Sequence, residues 1–216
     1  MPLEAPKVTA VRKMLASIGR EGIRFYPNTP YRPWNNVAIY HKAITTSNEL
    51  DALLPSHERM AGNLEGRAIP LAPGQMSNGA AALLRMEWDF NAEPYKLRYY
   101  LLLYYGARAN SQPLLGLSFR LEQPEGAGQP SAHDYWHIQM CREVALDRAT
   151  PVLGVHPHTP VKYPAFPLNA SDAVSLTASI WVTLAGRAGL QSSVTALVGQ
   201  GPLAQSLNER YAHALA

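Results

Sequence analysis

Residues 84–105 read LRMEWDFNAEPYKLRYYLLLYY, and this stretch decides the fold class. Leu84, Met86, Trp88 and Phe90 alternate with Arg85, Glu87 and Asp89, the period of a half-buried strand. Asn91-Ala92-Glu93-Pro94 is a short turn-like connection, after which Leu97 to Tyr105 runs as a second strand. The pattern continues outward. Leu115, Leu117, Phe119 and Leu121 alternate with Gly116, Ser118, Arg120 and Glu122. Beyond a Pro/Gly-rich loop, Trp136, Ile138 and Met140 alternate with Tyr135, His137 and Gln139. Four such runs joined by turn signals predict an antiparallel meander, and hence an α+β fold with helices packed on one face of a four-stranded or larger sheet.

The flanks supply the helices. Val8, Val11, Leu15 and Ile18 recur at spacings of three and four, which predicts a helix over Pro6 to Arg20, ending near Gly19 and Gly22. Three prolines and three asparagines between Pro27 and Asn36 break regular structure, and Val37 to Ile44 reads as a short edge strand. Ser47 opens a short helix that must stop by Pro55. Residues 61–80 hold four glycines and two prolines and read as a long loop. Five prolines from Pro151 to Pro167 make that segment extended and irregular. Ser171 offers an N-cap for a helix to about Gly186, and Pro202 opens a last helix bearing Leu203, Leu207 and Tyr211. These readings make residues 1–216 one domain: helix, loops and an edge strand over 1–80, the meander over 81–141, and the proline-rich segment and C-terminal helices over 142–216.

Composition narrows the function classes. Of the 216 residues, 47% are hydrophobic and 16% charged, which excludes a disordered polyampholyte. A net charge of +3 does not demand nucleic acid. One cysteine, Cys141, excludes an intrachain disulfide framework and a Cys-based zinc module, and without a clear base it reads as a structural thiol. The run from Ala173 to Gly186 is too short and too rich in Ser and Thr to cross a bilayer, so the expectation is a soluble, cytoplasmic protein without a membrane partner.

Hairpin parity decides which polar residues share the sheet's other face. Pairing Trp88 with Leu97, Leu101 with Phe119, and Phe119 with Trp136 keeps the apolar sets together. The opposite face then carries Arg85, Tyr100, Arg120 and Tyr135 in one row, Glu87, Arg98, Glu122 and His133 in the next, and Leu102, Ser118 and His137 in a third, with Tyr104 and Gln139 just beyond. A solvated sheet face explains such residues without any function. Arg and Tyr together also supply anion donors and stacking planes. The candidate binding residues are Arg85, Arg98, Tyr100, Tyr104, Arg120, Tyr135 and Gln139.

The catalytic candidates are thinner. His133 and His137 point the same way from one strand but sit roughly 13 Å apart, too far for one metal ion. His156 and His158 flank Pro157 and project to one side of an extended segment about 7 Å apart, where Asp134, Asp147 or Asp172 could add a carboxylate. His-x-His occurs by chance and the acids have no diagnostic spacing, so no metal site is assigned and no cofactor is indicated. His137 beside Ser118 lacks the Gly-x-Ser-x-Gly elbow of a serine hydrolase, and Gly199-Gln200-Gly201-Pro202 lacks the lysine of a phosphate loop. The first expectation is therefore a non-catalytic binding or assembly protein whose Arg/Tyr face and proline-rich segment contact a protein or nucleic acid. The alternative is a nuclease-like, metal-independent phosphodiester hydrolase built on His137, His156, His158 and Arg120.

Overall fold

The computed structural model describes residues 2–25, 47–54, 61–63, 69–71, 81–104, 116–124, 135–140, 144–145, 151–152 and 165–212. Strands β3 (Ala81–Asp89), β4 (Lys96–Tyr104), β5 (Gly116–Glu122) and β6 (His137–Met140) form the expected antiparallel meander. It is the centre of a seven-stranded sheet. Strands β1 (Ala61–Asn63) and β2 (Ile69–Leu71) both pair with the outer edge of β3, and β9 (Ala165–Pro167) pairs with β6 at the other end. Two short strands, β7 (Val144–Ala145) and β8 (Pro151–Val152), make a separate ladder.

β1 and β2 correct the reading of residues 61–80 as loop throughout. They carry no alternating apolar pattern because what recruits them is the backbone of β3, a nine-residue strand whose outer edge needs partners. Pro70 is tolerated in β2 as an edge position. The edge strand expected over Val37 to Ile44 lies outside the described residues.

Alternation divides the sheet. On one side Leu84, Leu101, Phe119 and Met140 form one cross-strand row, and Met86, Tyr99, Leu121, Ile138 and Phe166 the next. Leu84, Met86, Trp88, Leu97, Tyr99, Leu101 and Leu121 are buried there. Phe119, Trp136 and Ile138 are only half-buried, less than the apolar pattern implied, because they lie toward the β6 end of the sheet, where Phe166 on β9 is exposed. The side chain of Leu117 lies outside the described set.

Helix α1 (Ala5–Phe25) and helix α3 (Ala173–Ala196) pack on each other over this apolar side. α1 buries Val8, Val11, Met14, Leu15 and Ile18, and Leu3 N donates to Phe90 O at 2.9 Å, tying the chain start to the end of β3. The helix runs through Gly19 and Gly22 to Phe25 rather than stopping at them. Each glycine costs only about 1 kcal/mol of helix propensity, too little to end a helix already nucleated and packed. α2 (Ser47–Leu53) buries Leu50 and ends before Pro55.

The N-cap of α3 is Asp172, not Ser171. Its carboxylate accepts from Ser175 N at 2.8 Å while Ser175 Oγ accepts from Asp172 N at 3.0 Å, a reciprocal capping box. The helix is broken at Gly186, whose φ of 54° and ψ of −130° are open to glycine alone. Beyond the break the chain packs back so closely that a Cβ on Gly189 would lie 2.1 Å from the Trp181 carbonyl oxygen. By length and composition alone α3 is long and apolar enough to cross a membrane, but it is broken at Gly186 and buries Ala173 through Trp181 within the protein. α4 (Gly201–Tyr211) carries Pro202 in its first turn and buries Leu207 and Tyr211, with Tyr211 Oη 2.8 Å from Ser179 Oγ. Thr177 Oγ1 donates to Ala173 O at 2.7 Å, so the 2.7 Å contact between it and Tyr99 is donated by the tyrosine, joining sheet to helix.

Candidate functional site

The sheet's other side is polar, and its centre is one carboxylate. Glu122 ends β5, directly across from Arg98 on β4 and His137 on β6. The first two hairpins have the register expected from the sequence. The third does not: Phe119 pairs with Met140, four positions beyond Trp136. Apolar residues still meet apolar residues, since an even shift preserves the face. The shift takes His137 away from Ser118, which faces Leu102, and places it against Glu122, where His133 was expected.

Glu122 meets two guanidinium groups and an imidazole. Arg98 Nε donates to Oε2 at 2.6 Å, and His137 Nε2 lies 3.0 Å from Oε1. Arg120 Nε lies 2.7 Å from Oε1, an ion pair whose N–H is poorly aligned for a hydrogen bond. The carboxylate side chain is 3% exposed and His137 0%, whereas Arg98 and Arg120 are 38% and 27% exposed. Burial pushes the Glu122 carboxyl up, but the His137 hydrogen bond and the charges of Arg98 and Arg120 outweigh it and hold the group below its ordinary value. Burial opposes the charge on Arg98 as well, and Glu122 and Tyr100 overcome it.

His137 is enclosed on both nitrogens. Nδ1 lies 2.9 Å from the Tyr135 carbonyl oxygen, an acceptor, and Nε2 faces the ionised Glu122. The backbone carbonyl can only accept, so Nδ1 carries a proton and donates to it. The Tyr135 ring stands edge-on to it, with centroids 5.8 Å apart, and Tyr135 Oη donates to Ala165 O at 3.3 Å.

The adjoining row is Arg85, Tyr100, Arg120 and Gln139. Arg120 Nη2 donates to Gln139 Oε1 at 2.7 Å. Arg85 Nη2 donates to Glu87 Oε1 at 2.5 Å and its guanidinium lies 5.2 Å from the Tyr100 ring centroid, while Tyr100 Oη donates to Glu87 Oε2 at 3.3 Å. Burial holds the Tyr100 phenol above its ordinary value, so it stays a neutral donor.

Six of the seven binding candidates therefore belong to two adjacent rows and the Tyr135 segment that closes them. Tyr104 ends β4 across from Gly116, two rows away. Glu87 and Glu122, which organise the arginines, were not among the candidates. Their signal was present in the sequence as acids alternating with arginines on the same face. Of the catalytic candidates, His137 and Arg120 both contact Glu122, while His156, His158, His133, Asp134, Asp147 and Cys141 lie outside the described residues. Among the described residues no cluster of three or more His, Cys, Asp or Glu could hold a metal ion. No protein-family model matches the chain, and no curated protein or solved structure compared with it does either.

Proposed function

We propose that the protein is a non-catalytic binding or assembly module whose Arg/Tyr sheet face engages an anionic surface on a protein or nucleic-acid partner. The observation that carries this reading is the sharing of the buried Glu122 carboxylate by Arg98 and Arg120, which among the described residues leaves partly exposed guanidinium charge in excess of carboxylate. Among the described residues Arg85 is matched by Glu87, so the surplus is centred on the other two arginines. Partly desolvated cations in excess favour an anion from outside the chain.

The hydrolase reading draws no comparable support. A general base needs a ring nitrogen within reach of the proton it removes, and both nitrogens of His137 are engaged inside the protein. Binding of a single-stranded oligonucleotide and of an acidic peptide, followed by fluorescence anisotropy across a salt series, tests the proposal. Replacing Arg85, Arg98 and Arg120 together by Gln is expected to weaken binding and flatten its salt dependence. Equal affinity and equal salt slope for the triple variant refute it.

A further inference from the structure

We infer that Arg98 and Arg120, splayed by Glu122, form a preorganised clamp for one phosphate-class oxyanion. This rests on the anion-binding reading of the same face and narrows it to a single seat. Among the described residues Glu122 is the one carboxylate in contact with either guanidinium. Both arginines approach it through Nε, on different carboxylate oxygens, and Arg98 also bonds the Tyr100 side chain; with five N–H donors on each guanidinium, these contacts do not use them all. Arg120 is fixed a second time, by Nη2 on Gln139, and Tyr100 stands across the strand from Arg120 and two residues along from Arg98. Immobilising two long side chains in advance removes the rotamer entropy that an incoming ion would otherwise have to overcome.

The geometry also selects the ion. One guanidinium satisfies a planar carboxylate by a parallel pair of hydrogen bonds, whereas donors contributed by two arginines on neighbouring strands suit the several oxygens of a tetrahedral group. The charge agrees: among the described residues two guanidiniums share one carboxylate, a surplus that an anion offsets.

Inorganic phosphate and phenyl phosphate, titrated in parallel at constant ionic strength with chloride as balance and followed through the arginine Nε–H resonances, test the clamp. Saturable one-to-one binding is expected. Arg98→Gln and Arg120→Gln should each weaken it roughly 10-fold or more, the loss of a hydrogen bond to a charged group, while Arg187→Gln, at an exposed position on α3 away from the sheet face, changes it less than about 2-fold. Glu122→Gln separates a clamp from diffuse charge: removing a negative charge tightens anion binding on a merely basic face but loosens it where the carboxylate positions the arginines. Tighter binding of the ester assigns the seat to a phosphorylated small molecule, tighter binding of the free ion to phosphate itself, and either supports the clamp. Equal losses across the three arginine variants, or tighter binding by Glu122→Gln, overturn it. Absence of saturable binding by both probes while polyanions still bind also overturns the clamp and leaves the broader reading intact; loss of polyanion binding as well removes both.

Discussion

Gly189→Ala is the sharpest test of how α3 folds back on itself. In an ordinary helix interior the change stabilises, because alanine exceeds glycine in helix propensity by about 1 kcal/mol. Here the added Cβ would stand 2.1 Å from the Trp181 carbonyl oxygen and 2.6 Å from its carbonyl carbon. Ordinary contacts lie near 3.5–4.0 Å, so the two segments must part by more than about 1 Å. Neither obstructing atom belongs to a side chain that could rotate away. Overpacking a buried site costs typically 1–3 kcal/mol, and a collision with backbone belongs at the upper end. Separation would also loosen Leu190 and Ser193, both buried on the returning segment. Subtracting the propensity gain leaves an expected loss of about 2 kcal/mol. Gly201→Ala is the control: nothing lies within 4 Å of its Cβ, and it is expected to hold or gain stability. Urea melts comparing midpoints at unchanged slope measure both. A Gly189→Ala protein as stable as the parent would refute the close packing at Trp181.

Gly186→Ala meets no atom within 4 Å, so its expected cost of about 1–3 kcal/mol is purely backbone, and a melt unchanged from the parent refutes it. Glu122 has a folded pKa held below its ordinary 4.5, so the stability it contributes is fully present above that pH and is lost as pH falls toward the folded value; Glu122→Gln should flatten this acid-side slope in melts taken across pH 3–6. Tyr99→Phe removes the hydrogen bond donated to Thr177 and should cost about 1 kcal/mol, since Thr177 keeps its bond to Ala173 O. Phe90→Ala empties a fully buried site and should cost about 3–5 kcal/mol, with half-buried Phe119→Ala costing less; the reverse order in denaturant melts contradicts the assigned core.

Strand period, strand order in the meander and the two faces of the sheet were all legible in residues 84–140, because alternation is a local property and a buried face enforces it. The short Asn91–Pro94 connection allowed one close pairing of β3 with β4, which placed Arg98 across from Glu87. Alternation also carried Arg98 beside Glu122 on β5. It did not carry the third register. Between Glu122 and His137 the connection is long, and parity is satisfied equally by shifts of two or four residues. Those registers differ in which residues meet on both faces, and only the folded sheet brings Arg98, Arg120 and His137 onto one carboxylate. The small strands β1 and β2 were hidden for a related reason. Their pairing partner is the backbone of β3, and backbone hydrogen bonding leaves no pattern in side chains. The sequence by itself determined the class of fold and which residues share a face; the tertiary structure decided which neighbours on that face touch, because contact depends on long-range register, which side-chain alternation leaves open to any even shift.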